Sequence, residues 1–251
     1  MAEDDPIPAK RLFVPDALAP AAEVEPDDGQ AHYLLNVLRL GQDDEVALFN
    51  GRDGEWRARV QAVSRKKCRL VVTDRLRPQT AEPDLWLCFA PIKRARIDFV
   101  AEKATELGVA VIQPVLTRRT IVARVNGERL AANAREAAEQ CDRLAVPEVR
   151  EAVTLERLLD RWPAGRRLMF CDESRAAPPA AAALSATGAA GQPWAVLVGP
   201  EGGFAPEEMS RLRAHPGVLA VGLGPRLLRA DTAAVAALSL FQGILGDWRS
   251  H

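Results

Sequence analysis

From Leu85 to the end of the chain, apolar runs of strand length alternate with segments of helical periodicity. This alternation constrains the fold more than any other feature. LWLCFAP, VAVIQPV, RLMFC, AVLVGP and VLAVGLG read as strands. Arg96 to Leu107, Gly127 to Arg143 and Asp231 to Trp248 read as helices, the first closed by Gly108 as a C-cap signal. Parallel strands need crossover connections, usually helical, so the pattern predicts an α/β domain on a mainly parallel sheet.

The preceding part differs. RLFVP, EVALFNG, EWRARVQAV and KCRLVVTD carry β-branched or alternating apolar residues. Asn50-Gly51 and Asp53-Gly54 are turn signals between two of them. One helical segment, from about Asp28 to Leu40, places Leu34, Leu35, Val37 and Leu38 on an apolar side. A small β-barrel with one helix is expected over 1–76. RPQTAEPD (77–84) reads as a linker, and 85–251 as the α/β domain. The Ala/Pro/Gly-rich run Ala176 to Pro193 reads as a surface helix and connector.

No apolar stretch reaches the roughly 18 residues of a membrane span, and the opening MAEDDPIPAKR lacks the apolar core of a signal peptide. A cytoplasmic protein without membrane contact is expected. The four cysteines form no C-x-x-C pair and the three histidines are scattered, so buried thiols and no metal site are expected. The net charge is −1, yet cations cluster in 52–77 and again from Lys93 to Arg124. Arg65, Lys66, Lys67, Lys93, Arg96 and Arg119 are candidates for tracking an RNA backbone, with a solvated surface as the alternative. Gln140 and Arg143, three apart on a predicted helix, are further RNA candidates.

Two segments carry chemistry. In WAVLVGPEGGFAPEE an apolar strand ends in Gly199-Pro200-Glu201-Gly202-Gly203, and a helix opens at Pro206. The glycines let a ligand approach the backbone. Neither phosphate-loop pattern is present, and Glu201, Glu207 and Glu208 would repel phosphate. A ligand rich in hydroxyls or bearing positive charge suits such a loop, and S-adenosylmethionine is one. A packing turn is the alternative. In LGPRLLRADTAAVAALSLF a strand ends near Gly224, Arg226 and Arg229 flank Leu227 and Leu228, and Asp231 and Thr232 form an expected helix N-cap. The two leucines are placed to wall an adenine pocket, the two arginines to meet RNA phosphate or an anionic base.

The pairing of LVGPEGGF with LGPRLLRADTAA resembles the SPOUT-class methyltransferases, and more narrowly the RsmE family, which methylates N3 of a uridine in small-subunit (16S) ribosomal RNA. HYLLNVLRLGQDDEVALFNG resembles the family's PUA-like RNA-binding module. KRARIDFVAEKATELGV, TRRTIV and REAAEQCDRLAVPEV resemble further blocks in family order. The resemblance implies a C-terminal SPOUT α/β trefoil-knot domain with an N-terminal PUA-like small β-barrel. It implies S-adenosylmethionine held by Glu173, Gly199, Pro200, Glu201, Gly202, Gly203, Leu223, Gly224 and Leu228, and a homodimer acting on 16S rRNA or the small ribosomal subunit. The family more often has Thr-Glu-Thr-Ala where this chain has Ala230-Asp231-Thr232-Ala233.

Methyl transfer is an in-line displacement, so the protein chiefly supplies alignment. Arg229 and Arg226 are candidates for stabilising negative charge on the target base, and Asp231 is a candidate base or N-cap. The last helix is apolar nearly all round, which calls for a second covering surface such as a partner subunit. Three other readings stay open: a SPOUT enzyme acting on a ribose 2′-OH or on tRNA, a non-catalytic RNA-binding assembly factor, and an unrelated nucleotide-binding enzyme, which the Glu-bearing loop disfavours.

Overall fold

The computed structural model describes residues 8–250 apart from 63, 65, 66, 123, 175 and 189. Its contacts divide the chain into two units. One holds the residues up to Ala81 together with Ala138–Val146, the other Glu82–Ala137 and the residues from Pro147 onward. The boundary at Ala81 falls inside the expected linker, whereas nothing in the composition marks 138–146 as part of the first unit.

In the first unit β1 (Arg11–Phe13), β2 (Glu23–Val24), β3 (Glu45–Phe49), β4 (Glu55–Ala62) and β5 (Cys68–Arg77) form a sheet in the order β1-β3-β4-β5-β2. β1 is parallel to β3 and the other pairs are antiparallel. Val46, Leu48, Ala58, Val60, Leu70 and Val72 recur at every second position, so one face of these strands fills a core with Leu12, Leu18 and Leu34. Phe49 points the other way, onto Ala138 and Leu144. The β3–β4 turn is built by Asn50, whose Oδ1 accepts from the N–H groups of Arg52 (3.0 Å) and Asp53 (2.9 Å). Gly54 closes it at φ +88°, where a Cβ would collide with the Arg77 carbonyl.

The expected helix from Asp28 to Leu40 is shorter. α1 (Asp28–His32) starts from a reciprocal Asp27/Gln30 cap and passes into one π turn, Tyr33–Val37. Arg39 then adopts φ +57°, which no helix continues through. Glu55 is fully buried between Arg11 and Arg77, each donating from Nε at 2.6 Å. The remaining Arg11 donors reach the carbonyls of Ala138 (2.9 Å), Glu139 (3.3 Å) and Arg143 (2.7 Å). One buried guanidinium thus fastens 138–146 to β1.

In the second unit β6 (Leu85–Phe89), β7 (Val111–Leu116), β8 (Glu148–Val149), β10 (Arg167–Cys171), β11 (Trp194–Val198) and β12 (Val218–Val221) form a parallel sheet in the order β12-β10-β11-β6-β7-β8, with β9 (Val153–Thr154) also pairing β7. Every residue of β6 and β11 is buried, as expected of central parallel strands covered on both faces. α4 (Leu155–Asp160) contributes Leu155, Leu158 and Leu159 to a core with Trp86, Cys88, Phe170 and Leu197, and α6 (Pro206–Ala214) contributes Leu212. α7 (Ala230–Ile244) packs on β11, on α2 (Arg94–Glu106) and on α5 (Ala180–Thr187), with Phe241 edge-on to Trp194 at 5.8 Å.

Three local expectations are corrected. α3 runs Gly127–Gln140 rather than to Arg143, because Asp142 turns left-handed at φ +62°. α7 ends at Ile244, and Asp247–Ser250 form a separate 3-10 turn. The run 176–193 is more than a surface connector. Leu184 is fully buried, and Pro178 and Ala180 bond to the backbone of Gly222 at the end of β12.

Candidate active site

β10, β11 and β12 are neighbours in a parallel sheet, so their carboxyl ends open onto one edge, where α/β folds place ligands. The three loops that leave these ends surround a cavity of about 440 Å³. Cys171, Asp172 and Glu173 come from the first, Val198 to Glu201 and Gly203 from the second, Gly222 to Gly224 and Arg226 to Ala230 from the third. Ala233 of α7 and Arg96 of α2 complete it. This size is within the range of sites for small organic ligands.

The loops are held by polar contacts. Glu173 Oε1 accepts from the backbone N–H of Phe204 at 3.1 Å, joining the first loop to the second. Gly203 sits between them at φ +68°, and a Cβ there would overlap the Glu173 carboxylate. Asp172 is buried and accepts from Arg213 Nη2 (2.7 Å) and the Ser174 N–H (2.8 Å). Burial pushes its carboxyl up, but the hydrogen bonds from Ser174 and Arg213 and the Arg213 charge outweigh that, holding it below the usual value. Burial, then the Glu173 charge, pushes the Cys171 thiol up to about 12, so it lines the cavity as a neutral, apolar group. On the opposite wall Arg96 Nη1 donates to Glu201 Oε1 at 2.9 Å, and its Nε lies 3.6 Å from Asp231 Oδ2.

Comparison with known proteins follows the same division. A family model for an RNA methyltransferase domain matches residues 80–242, and one for an RNA methyltransferase PUA domain matches 26–73. A ribosomal RNA small subunit methyltransferase E from Rickettsia conorii is 30% identical over 230 residues, covering 91% of this chain and 93% of its own. The protein of that name from Synechocystis sp. is 31% identical, covering 94% and 78%. The chain belongs to the ribosomal RNA small subunit methyltransferase E family. The crystal structure of a Neisseria gonorrhoeae member bound to S-adenosyl methionine superposes with a TM-score of 0.82 at 29% identity, over 95% of this chain and 99% of that one. The fold is thus the SPOUT α/β trefoil-knot class, preceded along the chain by a PUA-like β-domain.

Within this family member the cavity gathers Glu173, Gly199, Pro200, Glu201, Gly203, Leu223, Gly224 and Leu228, all expected at the cofactor, with Arg226 and Arg229 at its mouth. Gly202 is the exception. It does not line the cavity, and its carbonyl turns away to accept from Arg119 Nη1 at 2.8 Å. Asp231 is no N-cap. Arg229 occupies that position without a side-chain bond, and Asp231 sits in the first turn, accepting from the Thr232 N–H. Asp172 was covered only as a neighbour of Glu173, and Cys171 and Ala233 escaped the sequence reading. The only signal for Cys171 was its place at the end of a predicted strand.

The RNA candidates scatter. Arg65 and Lys66 lie outside the described residues. Lys67, Lys93, Arg119 and Gln140 are exposed. Arg143 is buried, since the chain leaves the helix before reaching it, so it does not share an exposed face with Gln140. Arg96 turns into the cavity instead of presenting a surface cation. Much of the basic run 52–77 is spent on pairs within the first unit: Arg57 and Arg59 on Glu45, Arg69 on Glu23, Arg77 on Glu55. Among the described residues, no helix is long and apolar enough to cross a membrane.

Proposed function

We propose that this family member transfers the methyl group of S-adenosylmethionine to N3 of a uridine in small-subunit (16S) ribosomal RNA. The observation that carries this reading is the cavity at the ends of β10, β11 and β12, with carboxylates inside and two exposed arginines at its mouth. The residues fit the cofactor. Carboxylates suit its ammonium and sulfonium, the loop of Gly199 and Gly203 lines the cavity beside them, and Leu223 and Leu228 offer apolar walls for its adenine. Bound there, it supplies a methyl group already activated by the sulfonium.

The protein's own work is orientation and charge. Uracil N3 carries an acidic imide proton, and its loss spreads negative charge onto the two carbonyl oxygens. Arg229 and Arg226 are assigned to meet that charge. Asp231, in the same segment, is the candidate acceptor of the proton. The base must leave its stack to reach the cavity, which favours a loop or junction as substrate. Residues 1–76 serve as the RNA-binding domain and 77–84 as the linker to the methyltransferase domain, 85–251. Lys67, Lys93, Arg119 and Gln140 are assigned to RNA.

α7 leaves Val235, Leu240 and Ile244 only partly covered, and the nearby Trp248 is exposed. A two-fold partner is proposed to cover them, giving a homodimer in the cytoplasm. Light scattering after gel filtration tests this: twice the chain mass is expected, and a monomer at micromolar concentration removes the dimer. For the activity, purified protein with methyl-labelled cofactor is offered small subunits, large subunits and tRNA. Label in 16S rRNA alone is expected. Label in tRNA, or on a ribose, assigns another RNA target. No cofactor binding at all leaves an RNA-binding assembly factor.

A further inference from the structure

We propose that Arg96 is a positioning residue for methyl transfer, a role that rests on the methyltransferase reading above. One guanidinium, on α2, faces two carboxylates from two other elements: Glu201 in the loop after β11, at 2.9 Å, and Asp231 in the first turn of α7, at 3.6 Å. Among the described residues neither carboxylate has another ion-pair partner. The Asp231 side chain is 18% exposed, that of Arg96 31% and that of Glu201 42%, so the cluster is sheltered on its Asp231 side and open to solvent at Glu201. By contrast Arg226 and Arg229 are exposed and form no side-chain bond among the described residues.

The consequence is geometric. The Glu201 loop is one wall of the cofactor cavity, and α7 begins where the third loop presents Arg229. A planar fork that meets both acids fixes the spacing of the two segments. It also keeps two carboxylates from repelling across the mouth that RNA must enter. Glu201 is 105 residues from Arg96 along the chain, and no local pattern announces the contact.

The test compares Arg96→Met and Arg96→Lys in the full-length enzyme with wild type, on whichever RNA wild type methylates. Arg96→Met is expected to lower kcat on the order of 10–100-fold at saturating RNA, the size of effect that follows misplacement of reacting groups by about 1 Å. The salt dependence of RNA binding should stay as in wild type. Arg96→Lys should recover part of the loss, since an ammonium meets one carboxylate well but not both. In a Glu201→Gln background Arg96→Met should cost less than alone, because part of the coupling is already gone. If kcat holds and the salt slope flattens by about 0.7–0.9, Arg96 is a phosphate contact and the proposal fails. It also fails if Arg96→Met and Arg96→Lys lose activity equally, in step with a fall in thermal stability, which marks a purely structural residue. Wild-type methylation at a position other than uridine N3 overturns the target assignment alone and leaves this comparison intact.

Discussion

The Glu173 carboxylate and the Phe204 backbone N–H are joined at 3.1 Å across Gly203, where a Cβ would overlap that carboxylate. A side chain at Gly203 meets Glu173 and must also hold φ at +68°, which costs an L-residue about 1–2 kcal/mol. Gly203→Val is therefore expected to weaken S-adenosylmethionine binding by about tenfold or more. Gly202→Ala should leave it nearly unchanged, because its Cβ would meet Arg119 at an ordinary 3.5 Å, outside the cavity. Calorimetry on both variants decides, and equal losses would remove the distinction between the two glycines.

Glu55 is expected to be the costliest single carboxylate to delete in the first unit. Removing it leaves the buried Arg11 guanidinium without its main counter-charge. Breaking a buried pair in this way costs about 3–5 kcal/mol. Urea denaturation of Glu55→Ala should show a loss of that order, and a change under about 1 kcal/mol would contradict it.

The Asp172 carboxyl lies below its ordinary 3.8 in the folded chain. A depressed carboxyl stabilises the fold above the unfolded value, and that stabilisation is lost as pH falls through the lower folded value. Asp172→Asn should therefore be less stable than wild type at pH 7, with the gap closing below about pH 3.8. Thermal melts from about pH 2.5 to about pH 7, which span the loss and the plateau above it, check it. A gap that does not change with pH would assign the loss to packing.

Exposed and paired cations should differ in RNA binding. Lys93→Ala and Arg119→Ala are each expected to flatten the slope of log affinity against log salt by about 0.7–0.9. Arg59 already faces Glu45 at 3.3 Å, so Arg59→Ala should change the slope less. Filter binding over a salt series gives all three slopes, and equal slopes would dissolve the contrast.

The sheet was legible because its strands are unbroken apolar runs. β6, β10 and β11 stand where LWLCF, RLMFC and WAVLV occur. β8 and β9 have two residues each, too short to carry a period. The α3 end was missed because Asp142 adopts a left-handed conformation more typical of glycine. Most of the loops around the cavity could be singled out because glycine beside carboxylate is unusual at a strand end. Arg96 was misplaced among surface cations, since its partners are reached only by folding. The same holds for Arg11, whose bonds to 138–146 draw a distant segment into the first unit.

The most direct measurement is mass spectrometry of ribosomal RNA from a strain lacking this chain. Loss of one N3-methyluridine from 16S rRNA is expected, restored by the wild-type chain and not by Gly203→Val. A 16S rRNA whose N3-methyluridine is unchanged, or a methyl lost from ribose or from another RNA, would contradict it.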